Sequence, residues 1–193
     1  MKEKKSFEIL VLAENNNGYI STIDAKRNGI AQEYLVLAEE EGQFVKAARG
    51  LYVKKGYPLD PYYITQFIYK KAVFSLESAL FLHELTKEPT HLVVNLPRGY
   101  MTKGIKNSEF RHVNDKEYFL GLGLAVSPFG HLVETYDLER TFLDAYRYRE
   151  RGTYSMKEVF ALFKTRDIDQ DKLLSYAKEF KALDAMEAYL SLL

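Results

Sequence analysis

The chain has 193 residues, 27 acidic and 27 basic side chains, and no cysteine. Its length suits one domain or two small ones, and its zero net charge argues against a protein that coats nucleic acid indiscriminately. The absence of cysteine excludes disulfides, thiolate metal sites and thiol catalysis. No apolar stretch reaches the roughly 18–20 residues that a membrane span needs, and acidic residues interrupt the short apolar run near the N-terminus, so we expect neither a membrane segment nor a signal peptide. A cytoplasmic protein is the expectation.

The first segment, residues 3–15, is predicted to be an amphipathic helix whose apolar side chains are Phe7, Leu10 and Val11, with Ala13 as a further candidate. It would pack against the two helices that follow and complete a small three-helix core.

Residues 18–42 predict two short helices joined by a tight turn. Ser21 stands three residues before Asp24, which is the spacing of a capping box at a helix start. Asn28-Gly29 then breaks this helix, because both residues tolerate the left-handed backbone of a sharp turn. Apolar residues return at helical spacing from Ile30, and Gly42 ends the second helix.

Residues 44–55 predict a β-hairpin with its turn at Arg49-Gly50. This hairpin carries Lys46, Arg49, Lys54 and Lys55 and no acidic residue. Helix, turn, helix and then a basic hairpin is the order of a winged helix-turn-helix domain that binds DNA. The alternative is a solvated hairpin with ordinary surface lysines.

The segment Gly56-Tyr57-Pro58-Leu59-Asp60-Pro61 predicts a domain boundary, because it holds one glycine and two prolines. We therefore expect an N-terminal domain over residues 1–57 and a C-terminal domain over residues 58–193. The second domain is predicted to be α+β, with a small mixed sheet and a helical C-terminal tail. Its predicted elements are a helix at 62–72, a helix capped by Ser75, strands at 91–96, 110–113, 118–122, 125–126 and 132–136, helices beginning after Asp137 and Ser155, and two helices within 170–193.

Catalytic chemistry finds little support in the sequence. The four histidines, His83, His91, His112 and His131, do not occur in pairs at metal-binding spacing. A metal-dependent nuclease could recruit acidic residues such as Asp144, but a helix cap and surface charges explain these residues more simply. No phosphate-binding loop, nucleophile elbow or dinucleotide fingerprint is present. We therefore expect no enzyme, no cofactor and no metal.

A second basic segment follows the strand at 91–96. It comprises Arg98, Lys103, Lys106 and Arg111, and we expect it to form an exposed loop. It could contact DNA phosphates, bind an acidic or RNA-bound partner, or serve only as a soluble loop.

Four motifs in a fixed order resemble one known family. They are G-Y-I-S-T…G-I…L…G-Q-F…R-G-L-Y in the first domain, S-L-E-S-A-L-F-L-H-E-L-T from residue 75, T-H-L-V-V-N-L-P-R-G from residue 90, and T-Y-D-L-E-R-T-F-L-D from residue 135. Together they are similar to the AbiEi family, the antitoxins and transcriptional regulators of abortive-infection toxin–antitoxin systems, and the resemblance spans about residues 5–190.

The resemblance implies a winged-helix domain that binds double-stranded DNA in the promoter of its own operon, at inverted repeats, and represses it. It also implies a C-terminal domain that counters a nucleotidyltransferase-like toxin during phage defence. Such systems are classed as type IV, so no stable complex with the toxin is expected. A protein–protein module whose winged helix binds a partner instead of DNA is the alternative.

Carried over by position, the resemblance gives candidate DNA contacts. Arg49 and Lys46 on the hairpin would contact phosphates or the minor groove, with Lys54 beside them. Gln32, Glu33 and Tyr34, in the first turn of the second helix, would meet base edges, because glutamine can pair with adenine and glutamate can accept a hydrogen bond from cytosine. Lys26 and Arg27 would hold flanking phosphates.

Two departures from the family pattern affect these assignments. Ala31 stands where a capping hydroxyl is common, and Glu39-Glu40-Glu41 replace basic residues at the end of the second helix. The DNA contacts are therefore expected mainly from the hairpin and from the first turn of that helix. The E-R-T-x-x-D segment, Glu139 to Asp144, is interpreted as fold-determining, with a direct antitoxic role as the alternative.

Overall fold

The computed structural model describes residues 2–150 and 155–191. It is a mixed α+β structure with two small sheets and helices toward the C-terminus. The chain divides into two compact units: unit 1 holds the residues up to Lys70 together with Val126–Leu132, and unit 2 holds Lys71–Ala125 and the residues from Val133 onward.

Unit 1 contains, among the described residues, four helices and one three-stranded sheet. In chain order they are α1 (Lys2–Glu14), β1 (Tyr19–Ser21), α2 (Thr22–Arg27), α3 (Gln32–Glu40), β2 (Phe44–Ala48), β3 (Leu51–Lys54) and α4 (Pro61–Ile68). The sheet has the order β1-β3-β2, and β3 is antiparallel to both neighbours. The predicted hairpin and the paired short helices are thus present at the predicted places.

The core of unit 1 lies under α1, α2 and α3. Ile9, Ala13, Ile30 and Leu35 are buried there beside Phe44 of the hairpin. The prediction that Phe7 and Val11 face this core is wrong: they are 67% and 41% exposed. The candidate Ala13 is buried, and so is Ile9, which the prediction did not name; the two are four residues apart and therefore on one helix face.

Helix α4 belongs to unit 1, although the predicted boundary falls after Tyr57. Its side chains Tyr63, Ile64 and Phe67 pack against Tyr19 and Leu51 of the small sheet. Burial of this apolar face places the division of the chain after Lys70. The helix is also shorter than the predicted 62–72, because it ends at Ile68 and the next residue leaves the helical conformation.

Unit 2 contains a five-stranded sheet and six helices within the described residues. In chain order they are β4 (Val73–Phe74), α5 (Leu76–Leu82), β5 (Leu92–Pro97), β6 (Ser108–Val113), α6 (Asp115–Phe119), β7 (Leu122–Val126), β8 (Leu132–Tyr136), α7 (Leu138–Arg147), α8 (Met156–Phe163), α9 (Gln170–Glu179) and α10 (Leu183–Leu190).

The five-stranded sheet has the order β6-β5-β4-β8-β7 and is mixed, as predicted. Strand β4 is antiparallel to β5 and parallel to β8, and β5 is parallel to β6. The predicted strand at 118–122 is wrong, because residues 115–119 form α6. Asn114 caps this helix by accepting a hydrogen bond from the backbone N–H of Glu117.

The helical part of unit 2 has its own apolar core. Phe142, Leu143, Val159, Phe163 and Leu173 are buried in it. Asp137 and Ser155 cap α7 and α8 as predicted, each accepting a hydrogen bond from a backbone N–H three residues on. Ser75 occupies the N-cap position of α5 but makes no capping bond; its hydroxyl donates to Asn95 instead.

Membrane spans and metal clusters are both absent from the described residues. No helix in residues 2–150 and 155–191 is long and apolar enough to cross a membrane. Within the same ranges, no three histidine, aspartate or glutamate side chains meet in a way that could hold a metal ion.

Candidate nucleic-acid interface

Helices α2 and α3 are held at a tight turn by local interactions that the sequence specifies. Ser21 and Asp24 form the predicted capping box at the start of α2. Gly29 has a φ of +66°, which glycine adopts without steric cost, and this lets the chain reverse between the helices. Ile30 and Leu35 then anchor the turn and α3 in the core, so the opposite face of α3 remains in solvent.

The exposed start of α3 carries two of the three side chains predicted to meet base edges. Gln32 and Glu33 are exposed, whereas Tyr34 is half-buried and packs against the core. Ala31, at the N-cap, has no side-chain oxygen, so the first backbone N–H groups of α3 have no side-chain cap. Of the three, Gln32 and Glu33 are therefore better placed than Tyr34 for contact with a ligand.

An open concavity of about 800 Å³ lies where α2 and α3 meet. Its lining comprises Thr22, Ile23, Lys26, Arg27, Ile30, Ala31 and Gln32. Lys26 and Arg27 are exposed, and the Arg27 side chain is 77% exposed even though it lies 3.9 Å from Asp24. The structure thus brings three predicted DNA-contact residues, Lys26, Arg27 and Gln32, to one surface, and it adds Ile23, which the sequence patterns did not single out.

The β2–β3 hairpin presents the predicted cations Lys46 and Arg49 to solvent. Both side chains are exposed, and neither has an ion-pair or hydrogen-bond partner within the described parts of the chain. Gly50, with a φ of +79°, completes the turn after Arg49, and the pairing register shifts between Lys46 and Ala48. Two unpaired cations on a short hairpin can approach an anionic ligand without first breaking an internal contact.

Lys54 differs from these two cations, because Glu14 of α1 holds it. The Lys54 ammonium and the Tyr57 hydroxyl both donate to the Glu14 carboxylate. The hydrogen bond from Lys54, and then that from Tyr57, lower the pKa of Glu14, and the same contact raises the pKa of Lys54. Lys54 is therefore a clamp between α1 and β3 in this structure, although it was predicted to contact DNA.

The C-terminal end of α3 is acidic. Glu39, Glu40 and Glu41 follow one another, and the last turn of α3 contains no basic residue. A phosphate backbone would be repelled there. Of the cations predicted to contact DNA, those exposed in unit 1 therefore lie at the end of α2 and on the hairpin.

A buried polar cluster in unit 1 was missed by sequence reasoning. Asp60 is fully buried; its Oδ2 atom lies 2.7 Å from His131 Nδ1 and accepts a hydrogen bond from Ser127 Oγ at 2.6 Å. The His131 ring stacks on Tyr63, with ring centroids 4.2 Å apart. Sequence offers little signal for this pairing, because 71 residues separate Asp60 and His131. Its contacts fix residues 126–132 in unit 1.

The second predicted basic segment, in unit 2, is only partly exposed. Arg98, Lys103 and Lys106 are exposed in the connection between β5 and β6, and Lys103 makes contacts of its own. Arg111 lies within β6 instead of the loop; its guanidinium is half-buried and stacks 4.0 Å from the Tyr148 ring centroid. Arg111 is therefore half-buried in a strand, whereas the other three cations are exposed in the loop.

The E-R-T-x-x-D segment lies in α7 and makes buried ion pairs within unit 2. Arg140 Nε lies 3.0 Å from Asp144 Oδ2, in ion-pair range but outside hydrogen-bond geometry, and Arg140 Nη1 donates to the Leu120 carbonyl at 2.6 Å. Glu139 accepts from Lys172 Nζ at 2.9 Å. Burial by itself raises the pKa of Glu139, but the hydrogen bonds from Lys172 and the Asp169 backbone outweigh it, and the net shift is downward.

Comparisons with known proteins identify a solved structure with a similar fold. No protein-family model matches the chain, and no curated protein sequence matches it. Among solved structures, the chain is similar to the crystal structure of the RV2827C protein from Mycobacterium tuberculosis, with a TM-score of 0.51 and 14% sequence identity. The match covers 95% of this chain and 79% of that one. At this identity the likeness concerns the fold alone.

Proposed function

We propose that unit 1 is a winged helix-turn-helix that binds double-stranded DNA, with α2 and α3 as the helix pair and the β2–β3 hairpin as the wing. The observation that carries this proposal is the pair of exposed, unpartnered cations Lys46 and Arg49 on a hairpin that directly follows two tightly turned helices. Cations in this position can hold the phosphate backbone while the start of a helix reaches base edges. A formal net charge of zero for the whole chain is compatible with such a local basic surface.

We further propose that the protein represses its own operon and counteracts a nucleotidyltransferase-like toxin, as an antitoxin of the AbiEi type in abortive infection. This extension rests on the resemblance of the four sequence motifs. A nucleotidyltransferase-like reading frame directly beside this gene would support it. If no toxic neighbouring gene product exists, the antitoxin part of the proposal fails while DNA binding can still hold.

The wing is tested with Lys46→Ala combined with Arg49→Ala. We expect the double variant to bind the upstream region of its operon more weakly and with a smaller salt dependence. Each lost phosphate contact lowers the slope of log affinity against log salt concentration by about one. Fluorescence anisotropy at several salt concentrations measures both quantities.

The matched control is Lys157→Ala combined with Lys164→Ala, which removes the same charge from exposed positions of unit 2. We expect it to keep the wild-type salt slope. Equal affinity and equal slope for the wing variant and the wild type would overturn the wing assignment.

The alternative function, a protein–protein module, is favoured by one observation. The last turn of α3 is acidic, and Val36 on the same helix is 38% exposed, a surface that suits a basic or apolar protein partner better than DNA. Purified protein that shifts no DNA from its upstream region but co-purifies with the neighbouring gene product would establish this alternative.

A further inference from the structure

The concavity between α2 and α3 combines three kinds of side chain in one place. Ile23 provides an apolar surface and is 52% exposed. Gln32 provides an amide at the first position of α3. Lys26 and Arg27 provide positive charge, and no carboxylate is among the lining residues.

This combination limits the chemistry of a ligand. The two cations favour an anionic ligand, and the carboxylate beside them, that of Asp24, lies 3.9 Å from Arg27 and offsets only part of their charge. The amide can donate and accept at the same time, which suits a ligand that presents a donor and an acceptor side by side. The exposed Ile23 side chain gains free energy only if an apolar group of the ligand covers it.

An A·T base pair in duplex DNA has all of these features. In the major groove its adenine presents the N7 acceptor and the N6 donor, and its thymine presents a C5-methyl group beside them. Phosphates lie on both sides of the groove. A glutamine amide pairs with the adenine edge, and an aliphatic side chain covers the thymine methyl.

We propose that Gln32 and Ile23 read a single A·T base pair, with Gln32 on the adenine edge and Ile23 on the thymine methyl, while Lys26 and Arg27 hold the flanking phosphates. This inference rests on the proposed DNA-binding function and names the base pair that this surface selects. Ile23 is thereby a specificity-determining residue contributed by α2, in addition to the first turn of α3.

The test is a double-mutant cycle that combines one substitution in the protein with one chemical change in the DNA. The upstream region of the operon is amplified once with thymidine and once with deoxyuridine, which lacks only the methyl group. Full-length wild type and the Ile23→Ala variant are each titrated against both duplexes. We expect the wild type to bind the deoxyuridine duplex about fourfold more weakly, the factor that burial of one methyl-sized apolar group supplies.

The Ile23→Ala variant is expected to bind both duplexes with the same affinity, close to that of the wild type for the deoxyuridine duplex. A change of DNA shape caused by deoxyuridine would weaken the variant and the wild type alike, so the cycle separates shape from methyl contact. An adenine-side cycle follows the same logic: replacement of adenine by 7-deazaadenine should weaken the wild type but not Gln32→Ala.

The control is Val11→Ala, which truncates another exposed aliphatic residue of unit 1 that lies on α1 and outside the concavity. It should keep the wild-type ratio between the two duplexes. Ile23→Leu retains an apolar group and should keep most of the discrimination, and circular dichroism establishes that each variant is folded.

The outcomes separate the two proposals. If no form of the protein prefers its upstream DNA to unrelated DNA, the proposed function fails and this inference fails with it. If the wild type prefers its upstream DNA but binds both duplexes equally, only this inference is overturned. It is also overturned, with DNA binding intact, if Ile23→Ala discriminates between the duplexes as well as the wild type does.

Discussion

At the scale of single residues, Arg140 is the side chain with the most demanding surroundings. It is 1% exposed, and its guanidinium contacts the rings of Tyr136 and Phe180, 4.4 and 4.5 Å from their centroids. Its hydrogen bond to the Leu120 carbonyl and its ion pair with Asp144 compensate the charge. Gly121 lies directly against it: a Cβ atom there would stand 2.6 Å from Arg140 Cβ. These contacts favour the fold-determining interpretation of the E-R-T-x-x-D segment.

Arg140→Lys is expected to destabilise the protein strongly. Lysine keeps the charge but cannot reproduce the planar stacking or the reach to Leu120, so the buried Leu120 carbonyl loses its hydrogen bond at a cost of about 1–3 kcal/mol. Urea unfolding measures this loss. Arg98→Lys, at an exposed position, is the control and should stay within about 0.5 kcal/mol of wild type. Wild-type stability of Arg140→Lys combined with lost antitoxic activity would instead establish a direct role.

At the scale of elements, the contact between α1 and β3 sets the base of the hairpin. Glu14 near the end of α1 accepts hydrogen bonds from Lys54 at the end of β3 and from Tyr57 beyond it. Gly18 contributes to the same place, since a Cβ atom there would stand 2.3 Å from the Tyr57 ring. These contacts fix the base of the hairpin. Closer to the turn, the side chains of Lys46 and Arg49 have no partner among the described residues.

Lys54→Met is expected to raise the pKa of Glu14 toward its ordinary value, because the first of its two hydrogen-bond donors is lost. A lowered folded-state pKa stabilises the protein at pH values above the unfolded-state pKa, and this contribution disappears as pH falls through the folded-state pKa. The stability difference between wild type and Lys54→Met should therefore shrink under acid conditions. An NMR titration of the Glu14 carboxyl group checks the shift. The exposed neighbour Lys55→Met is the control, and an identical Glu14 pKa in wild type and Lys54→Met would contradict the clamp.

At the scale of the whole molecule, the two units do not correspond to two continuous halves of the sequence. Unit 1 is completed by Val126–Leu132, which follow 55 residues of unit 2. The backbone N–H of Asp60 donates a hydrogen bond to the Tyr19 hydroxyl. The Asp60 side chain contacts Ser127 and His131, which both belong to that segment. A cut after Tyr57 or after Lys70 would therefore leave unit 1 incomplete.

His131→Ala is expected to destabilise unit 1 in the full-length protein by about 1–3 kcal/mol, because the buried Asp60 side chain loses one of its hydrogen-bond partners. Three donors to Asp60 would remain: the Ser127 hydroxyl and the backbone N–H groups of Tyr62 and Tyr63. Hydrogen exchange of the backbone amides in β1 and β3 measures the effect. A fragment of residues 1–70 should show faster exchange at these amides than the full chain. Equal protection in the fragment would contradict the requirement for residues 126–132. His91→Ala, at an exposed position of unit 2, is the control.

Local sequence determined most of the elements of this protein. The capping box at Ser21, the Asp137 cap, the helix start at Ser155, the turn at Asn28-Gly29 and the Arg49-Gly50 hairpin are each specified within a few residues, and the structure confirms them. The mixed sheet and the helical C-terminal region followed from the same kind of signal. The exposed cations of the hairpin were also predictable, since short basic hairpins rarely bury their charges.

Contacts between residues far apart in the chain were decided only by the tertiary structure. The pairing of Asp60 with His131, the ion pair of Lys54 with Glu14 and the stacking of Arg111 on Tyr148 bring together residues that are far apart in the chain, and no local pattern encodes such separations. The same holds for the face of α1 that is buried, which its packing partners select. The surface formed by Ile23 and Gln32 arises only when the turn at Gly29 folds α2 and α3 together, so its chemistry became visible only in three dimensions.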